Sequence, residues 1–217
     1  MKRLSVLFIM LVLASWGAMA QDAFKEGVDY ELVVPPQPTS EPGKIEVMEF
    51  FWYGCPHCLD FEPHLNTWLG QKPKDVLFIR QPAVFNEQWA AHARAYFVAE
   101  TLGLADKLHA DFYSAIQTKR QDPKRAPLIS EEEQLKFFTG HGVSEDDFRK
   151  AYHSFAVDTK MRQAQTMGPG YGVTGTPTVV VNGKYRLTGH LAKTYPNLIA
   201  ILNFLIDKER AAVKAKH

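Results

Sequence analysis

The sequence predicts an α/β protein in which one sheet-forming core is interrupted by an inserted helical subdomain. Three observations carry that prediction. Runs of strand character lie toward both ends of the chain, at 45–53 and 76–79 and again at 178–187. Between them, roughly 80 residues show helical periodicity and helix caps. The first two strand runs are separated by one helix-length segment, the spacing of a βαβ unit with parallel strands.

The N-terminus has Lys2-Arg3, an apolar stretch from Leu4 to Trp16, and Ala18-Met19-Ala20. This reads as an export signal over residues 1–20, cleaved after Ala20. The apolar stretch is too short to span a bilayer comfortably, and no later segment approaches a span. About 197 residues remain from Gln21, enough for one core with an insertion. A formal charge of +1 gives no reason to expect nucleic acid, and the lysines of the C-terminal tail read as a solvated helix end.

Val28–Val34 reads as a short edge strand, and Pro35, Pro36, Pro38, Pro42 and Gly43 mark the loop after it. Ile45–Tyr53 is apolar almost throughout, as a central strand covered on both faces should be. Gly54 then frees the chain to turn. Leu59, Phe61, Leu65, Trp68 and Leu69 support a helix with Pro63 inside it, where a proline should kink it. Val76–Ile79 follows as a second buried strand.

The insertion is expected over 86–166, between core segments 21–85 and 167–217. Trp89, Ala93, Tyr96 and Phe97 form one stripe, ended by Gly103, and Leu104, Leu108, Phe112 and Ile116 form another. Ser130 with Glu133, and Ser144 with Asp147, resemble capping boxes. Phe148, Tyr152 and Phe155 are expected to carry the last stripe inward. Gly168-Pro169-Gly170 ends the region. Thr178–Val181 is a strand, Asn182-Gly183 a two-residue hairpin turn, and Lys184–Leu187 its partner. Leu198, Ile201, Leu202 and Leu205 mark the inner face of a C-terminal helix.

The two cysteines of the chain are Cys55 and Cys58, within Cys55-Pro56-His57-Cys58 at the strand-to-helix junction. Pro56 suits the first helical position, which puts Cys55 at the N-cap. Free amides and the helix dipole there favour a thiolate, and a protonated His57 would add to this. Cys58, one turn further in, should be more buried and serve as the resolving thiol. A structural staple is the bland alternative, but so short a loop removes little entropy from the unfolded chain. A zinc site is not expected, since no second ligand pair completes four ligands. His64, seven residues after His57, reads as a surface histidine.

With these residues, Glu49-Phe50-Phe51 before the cysteines, and Gly172-Val173-Thr174-Gly175-Thr176-Pro177 leading to Val181-Asn182-Gly183-Lys184-Tyr185, the chain resembles the DsbA family of thiol:disulfide oxidoreductases. The resemblance covers nearly the whole mature chain. It implies a thioredoxin-like fold and oxidation of newly exported proteins in the periplasm. It also implies reoxidation by a quinone-linked membrane partner resembling DsbB, with no metal or organic cofactor. A monomer is expected. By the resemblance Pro177 is a cis-proline facing the disulfide; the residues alone show a proline opening a strand, for which trans is the default. A cis bond would turn the Thr176 backbone toward the active site as a contact for extended substrate.

Glu49 shares strand parity with Ile45, Val47 and Phe51. Neither face of this strand offers a wet position, so desolvation should raise its pKa and suit it to exchange a proton with Cys58. The family places a buried acid here. The plainer reading is a carboxylate reaching water from the strand end. Arg80 stands where the family often has a lysine; facing Glu49, it would hold the carboxylate ionised and weaken the proton-transfer idea. Rival functions are a periplasmic reductase or isomerase, and a chaperone-like peptide binder with an incidental disulfide. An isomerase needs a dimerisation module, for which the segment 21–43 has no room.

Overall fold

The computed structural model describes residues 23–120 and 128–215. The export signal and its cleavage site at Ala20 lie outside the described residues. In chain order the elements are β1 (Glu31–Leu32), β2 (Ile45–Phe51), α1 (Pro56–Leu69), β3 (Val76–Pro82), α2 (Glu87–Thr101), α3 (Ala105–Arg120), α4 (Glu131–Gly140), α5 (Glu145–Tyr152), α6 (Phe155–Gly170), β4 (Thr178–Val181), β5 (Tyr185–Thr188), α7 (Gly189–Ala192) and α8 (Tyr195–Lys214). The strands form one sheet in the order β1-β5-β4-β2-β3.

All seven residues of β2 are buried, as a central strand with no wet face requires. It pairs parallel with β3, setting Glu49 opposite Arg80, and antiparallel with β4, setting Glu49 opposite Val179. Strand alternation splits the side chains of β2 between two apolar clusters. Met48 and Phe50 pack with Tyr171, Val173 and Val180. Ile45 and Val47 pack with Phe61, Leu65 and Trp68 of α1 and with Leu198, Ile201, Leu202 and Leu205 of α8. Phe51, at the end of the strand, joins a third cluster built mostly from α2–α6, which also takes in both cysteines. The active-site helix is therefore wedged between the sheet core and the helical segment.

Asn182 and Gly183 both have positive φ, as the two-residue hairpin turn between β4 and β5 demands. Ser130 and Glu133 form a complete capping box. Ser144 caps α5 by accepting from the Asp147 amide, while its hydroxyl donates to the Asp147 carboxylate, so that box is not reciprocal.

Two local expectations are corrected, the length of the edge strand and the place of Phe155. The edge strand is only Glu31–Leu32: Val28 and Asp29 are taken up in a turn, their amides donating to the Lys25 carbonyl, and Pro35 and Pro36 lack amides to extend the other end. Helix α1 spans Pro56–Leu69 with Pro63 inside it, as the sequence predicts. Helix α6 ends at Gly170, within the Gly168-Pro169-Gly170 stretch expected to end it, one residue after a proline that cannot donate to the carbonyl four residues back. Phe155 is 80% exposed: the chain leaves helix α5 at His153, and Ser154 caps a new helix, so the stripe through Phe148 and Tyr152 does not carry on to it.

Candidate active site

Cys55 is the N-cap of α1, with Pro56 in the first turn and no side-chain cap bond. Cys55 is 8% exposed and Cys58 fully buried, and both are free thiols. One helical turn thus separates a cysteine just beneath the surface from one in the core. The Cys55 thiol is lowered from 9.0 to about 5. A hydrogen bond with the Cys58 side chain is the largest cause, and burial opposes it. The Thr176 side chain and the amides of Cys58 and His57 lower it further. These are donors aimed at a charge, the situation that favours a thiolate. Cys55 Sγ also lies 3.3 Å from the Thr176 carbonyl oxygen, which can accept only while the sulfur is a thiol. Cys58 is pushed well above 9.0, chiefly by burial and then by its hydrogen bond with Cys55.

His57 is the second residue of α1. Its ring is 76% exposed and faces Asp60 at 4.0 Å; what it gives Cys55 is its backbone amide. The Thr176–Pro177 bond is cis, as is Val34–Pro35. Thr176 and Pro177 line a cleft of about 740 Å³ that begins at His57 and continues past His190, Lys193 and Tyr195. Tyr195 donates its hydroxyl to the His57 carbonyl, tying the start of α8 to the active-site turn. His64 is half-buried, with its ring 5.6 Å from that of Tyr195.

Gly54 is required for room rather than for turning. A Cβ there would fall inside the indole of Trp52, whose ring stacks on Trp89 at 4.1 Å and donates to His92 Nδ1.

Glu49 is fully buried beneath α1, and neither carboxylate oxygen has a hydrogen-bond partner. Arg80 does face it, with Nε 3.8 Å from Oε2, inside ion-pair range but too long for a hydrogen bond. The expected consequence does not follow. Burial and then the neighbouring Glu62 charge outweigh Arg80 and lift Glu49 from 4.5 to about 8, so it is mostly a protonated acid at neutral pH.

Sequence reasoning missed Glu62, His109 and Gln117. Glu62 lies one turn beyond Cys58 on the buried face of α1, in the stripe Cys58, Phe61, Glu62, Leu65, and that spacing was its available signal. His109 Nε2 meets Glu62 Oε1 at 3.1 Å, and its Nδ1 meets the Tyr53 hydroxyl at 2.9 Å. Gln117 donates to the carbonyls of Tyr53 and Cys55 at 3.1 and 3.0 Å, fastening the active-site turn to α3. Among the described residues no cluster of His, Cys, Asp and Glu could hold a metal ion, and no helix is long and apolar enough to cross a membrane.

A family model described as a DSBA-like thioredoxin domain matches residues 77–194. The thiol:disulfide interchange protein DsbA of Pseudomonas syringae pv. tomato is 40% identical over 212 residues, 98% of this chain and 97% of that protein. The chain belongs to the DsbA family. The crystal structure of Pseudomonas aeruginosa DsbA, 39% identical, superposes with a TM-score of 0.82 over 89% of this chain and 98% of that one. DsbA from Xylella fastidiosa, 36% identical, gives 0.76 over 84% and 96%. This DsbA-family chain therefore has a thioredoxin fold with a helical insertion, and it is a thiol:disulfide oxidase acting on protein thiols.

Proposed function

We propose that the chain donates a Cys55–Cys58 disulfide to newly exported proteins in the periplasm, acting as a monomer, and is reoxidised by a quinone-linked membrane partner of the DsbB kind. The observation that carries the reading is the opposed state of the two sulfurs, Cys55 at the helix N-cap, where amides favour the thiolate, and Cys58 a fully buried thiol.

A substrate thiolate attacks Cys55 Sγ, the sulfur nearer the surface, and the Cys55–Cys58 bond breaks. Cys58 leaves as a thiolate that cannot remain charged in the core, and it takes the proton of Glu49. A second substrate thiolate then attacks the substrate sulfur of the mixed disulfide. Cys55 departs as the stabilised thiolate, two electrons having passed to the enzyme. A low leaving-group pKa speeds this step and makes the disulfide oxidising, and DsbA proteins are known for both effects. The same stabilised dithiol state disfavours a reductase. Thr176 and Pro177 line the cleft beside Cys55, where extended substrate would lie, and Pro56 fixes the first turn that presents the cysteine.

The roles are tested by trapping. Cys58→Ala should accumulate mixed disulfides with exported proteins, and Cys55→Ala almost none, when complexes are separated without reductant. Equal accumulation by the two variants would refute the assignment.

A further inference from the structure

One guanidinium faces three carboxylates under the active-site helix. Arg80 Nε is 3.8 Å from Glu49, Nη2 is 3.4 Å from Glu62, and Nη1 is 3.7 Å from Asp106. The Asp106 side chain is fully exposed, so solvent screens its share. Glu49 and Glu62 are both buried, and their surroundings differ. Glu62 accepts hydrogen bonds from Arg80 Nη2 at 3.4 Å, Asn66 Nδ2 at 3.1 Å and His109 Nε2 at 3.1 Å. Glu49 accepts none. Two buried carboxylates sharing one cation do not both ionise, and the charge settles where the donors are.

We propose that Glu62 is the positioning residue that keeps the proton on Glu49: held by Asn66 and His109, it takes up the charge of Arg80 and leaves Glu49 a protonated acid near Cys58. This rests on the reading of Glu49 as the proton partner of Cys58.

The neighbouring groups agree. Tyr53, from the turn before α1, is raised by burial and stays a hydroxyl. It can therefore donate to His109 Nδ1, which leaves the imidazole proton on Nε2, facing Glu62. Burial lowers His109, so the ring is neutral. Tyr96 of α2 and Tyr113 of α3 are raised by burial as well, and so is Cys58 of α1. Arg80, Glu62 and the Cys55 thiolate are the groups of this cluster whose surroundings favour the charged form. A cleft of about 400 Å³ between α1 and α3 reaches Glu62, Arg80 and His109 but is not lined by Glu49. Water can thus reach the ionised acid and not the protonated one.

The test titrates Glu49 in the full, reduced protein with carboxyl-labelled glutamate, its NMR signal assigned by its loss in Glu49→Gln. In the wild type the carboxyl should titrate near 8. Glu62→Gln should lower that midpoint by about one to three pH units, since Arg80 then faces Glu49 alone among buried acids. The Cys55 thiolate, followed by its ultraviolet absorbance, should keep its midpoint of about 5. His109→Leu should move Glu49 in the same direction, and His109→Gln, which retains a donor for Glu62, should restore it; this pair decides if Glu62→Gln does not fold. A Glu49 midpoint unmoved by both Glu62→Gln and His109→Leu would overturn the proposal. If the midpoint falls as expected while Glu49→Gln exchanges disulfides at the wild-type rate, the charge assignment is upheld and the role of Glu49 in exchange is what fails.

Discussion

Reduction should stabilise this protein at neutral pH and destabilise it in mild acid, and the structure sets the scale. The perturbation is the redox state of Cys55–Cys58, read across pH. The Cys55 pKa is depressed on folding, from 9.0 to about 5. Its contribution to the reduced protein is therefore complete above pH 9 and is lost as pH falls through 5. At pH 7 it amounts to about 3 kcal/mol, from about 1.4 kcal/mol per pH unit over the pH span between 5 and 7. Against it stands the cross-link, which in the chain-entropy account stabilises the oxidised form by about 2 kcal/mol for so short a loop. The reduced form should therefore be more stable by about 1 kcal/mol at pH 7, and the two should be equal at roughly pH 6.5. From there the difference should grow by about 1.4 kcal/mol per pH unit toward pH 9. Glu49 titrates in both redox forms, and Cys55 is the smallest of the causes acting on it, so subtraction removes most of its effect. The assay is urea unfolding of the oxidised and the reduced protein at a series of pH values, compared at equal slope. A stability difference that stays flat with pH, or an oxidised form more stable throughout, would refute the reasoning and make the disulfide a staple.

Two further outcomes follow from the same geometry. Glu49 has a raised folded pKa, so it costs stability as pH rises from 4.5 through about 8; Glu49→Gln should raise stability by about 4 kcal/mol near pH 8, from about 1.4 kcal/mol per pH unit, and by almost nothing near pH 4, and equal effects at both pH values would contradict the buried neutral acid. Gly54→Ala places a methyl where the Trp52 ring lies and should cost about 1–3 kcal/mol; near-ultraviolet circular dichroism should show the Trp52–Trp89 stack disturbed, and an unchanged spectrum with unchanged stability would show that the ring moves aside freely.

What could be read from the chain was what neighbouring residues decide. The N-cap position of Cys55 follows from Pro56 beside it, the hairpin from Asn182-Gly183, the buried strand from seven consecutive residues. Where an expectation failed, a local pattern had been carried across a break it does not mark. Phe155 continued the stripe of Phe148 and Tyr152 by count, yet a cap at Ser154 starts the helix afresh. The solvent exposure of the His57 ring depends on where α1 sits against the cleft, which no stretch of sequence near the motif encodes.

The buried charges were illegible for a related reason. Glu49 comes from β2, Glu62 from α1, Arg80 from β3 and His109 from α3, and only the register of β2 with β3 and the docking of the helices bring them together. Pairing Arg80 with Glu49 from the sequence gave the right neighbour and the wrong consequence, because the acid that takes the charge of Arg80 was not counted. The need for such an arrangement, however, is set by the motif itself. Two cysteines three positions apart on a helix that starts at the first of them share one face but differ in depth, one at the free amides and the other a turn deeper, in the core. Burial disfavours a thiolate released at Cys58, so on the proposed mechanism a buried acid that still carries its proton is what eases its departure. Burial alone supplies the first property. The second depends on something else claiming the charge of Arg80, and Glu62, with three donors in place, is what the fold provides.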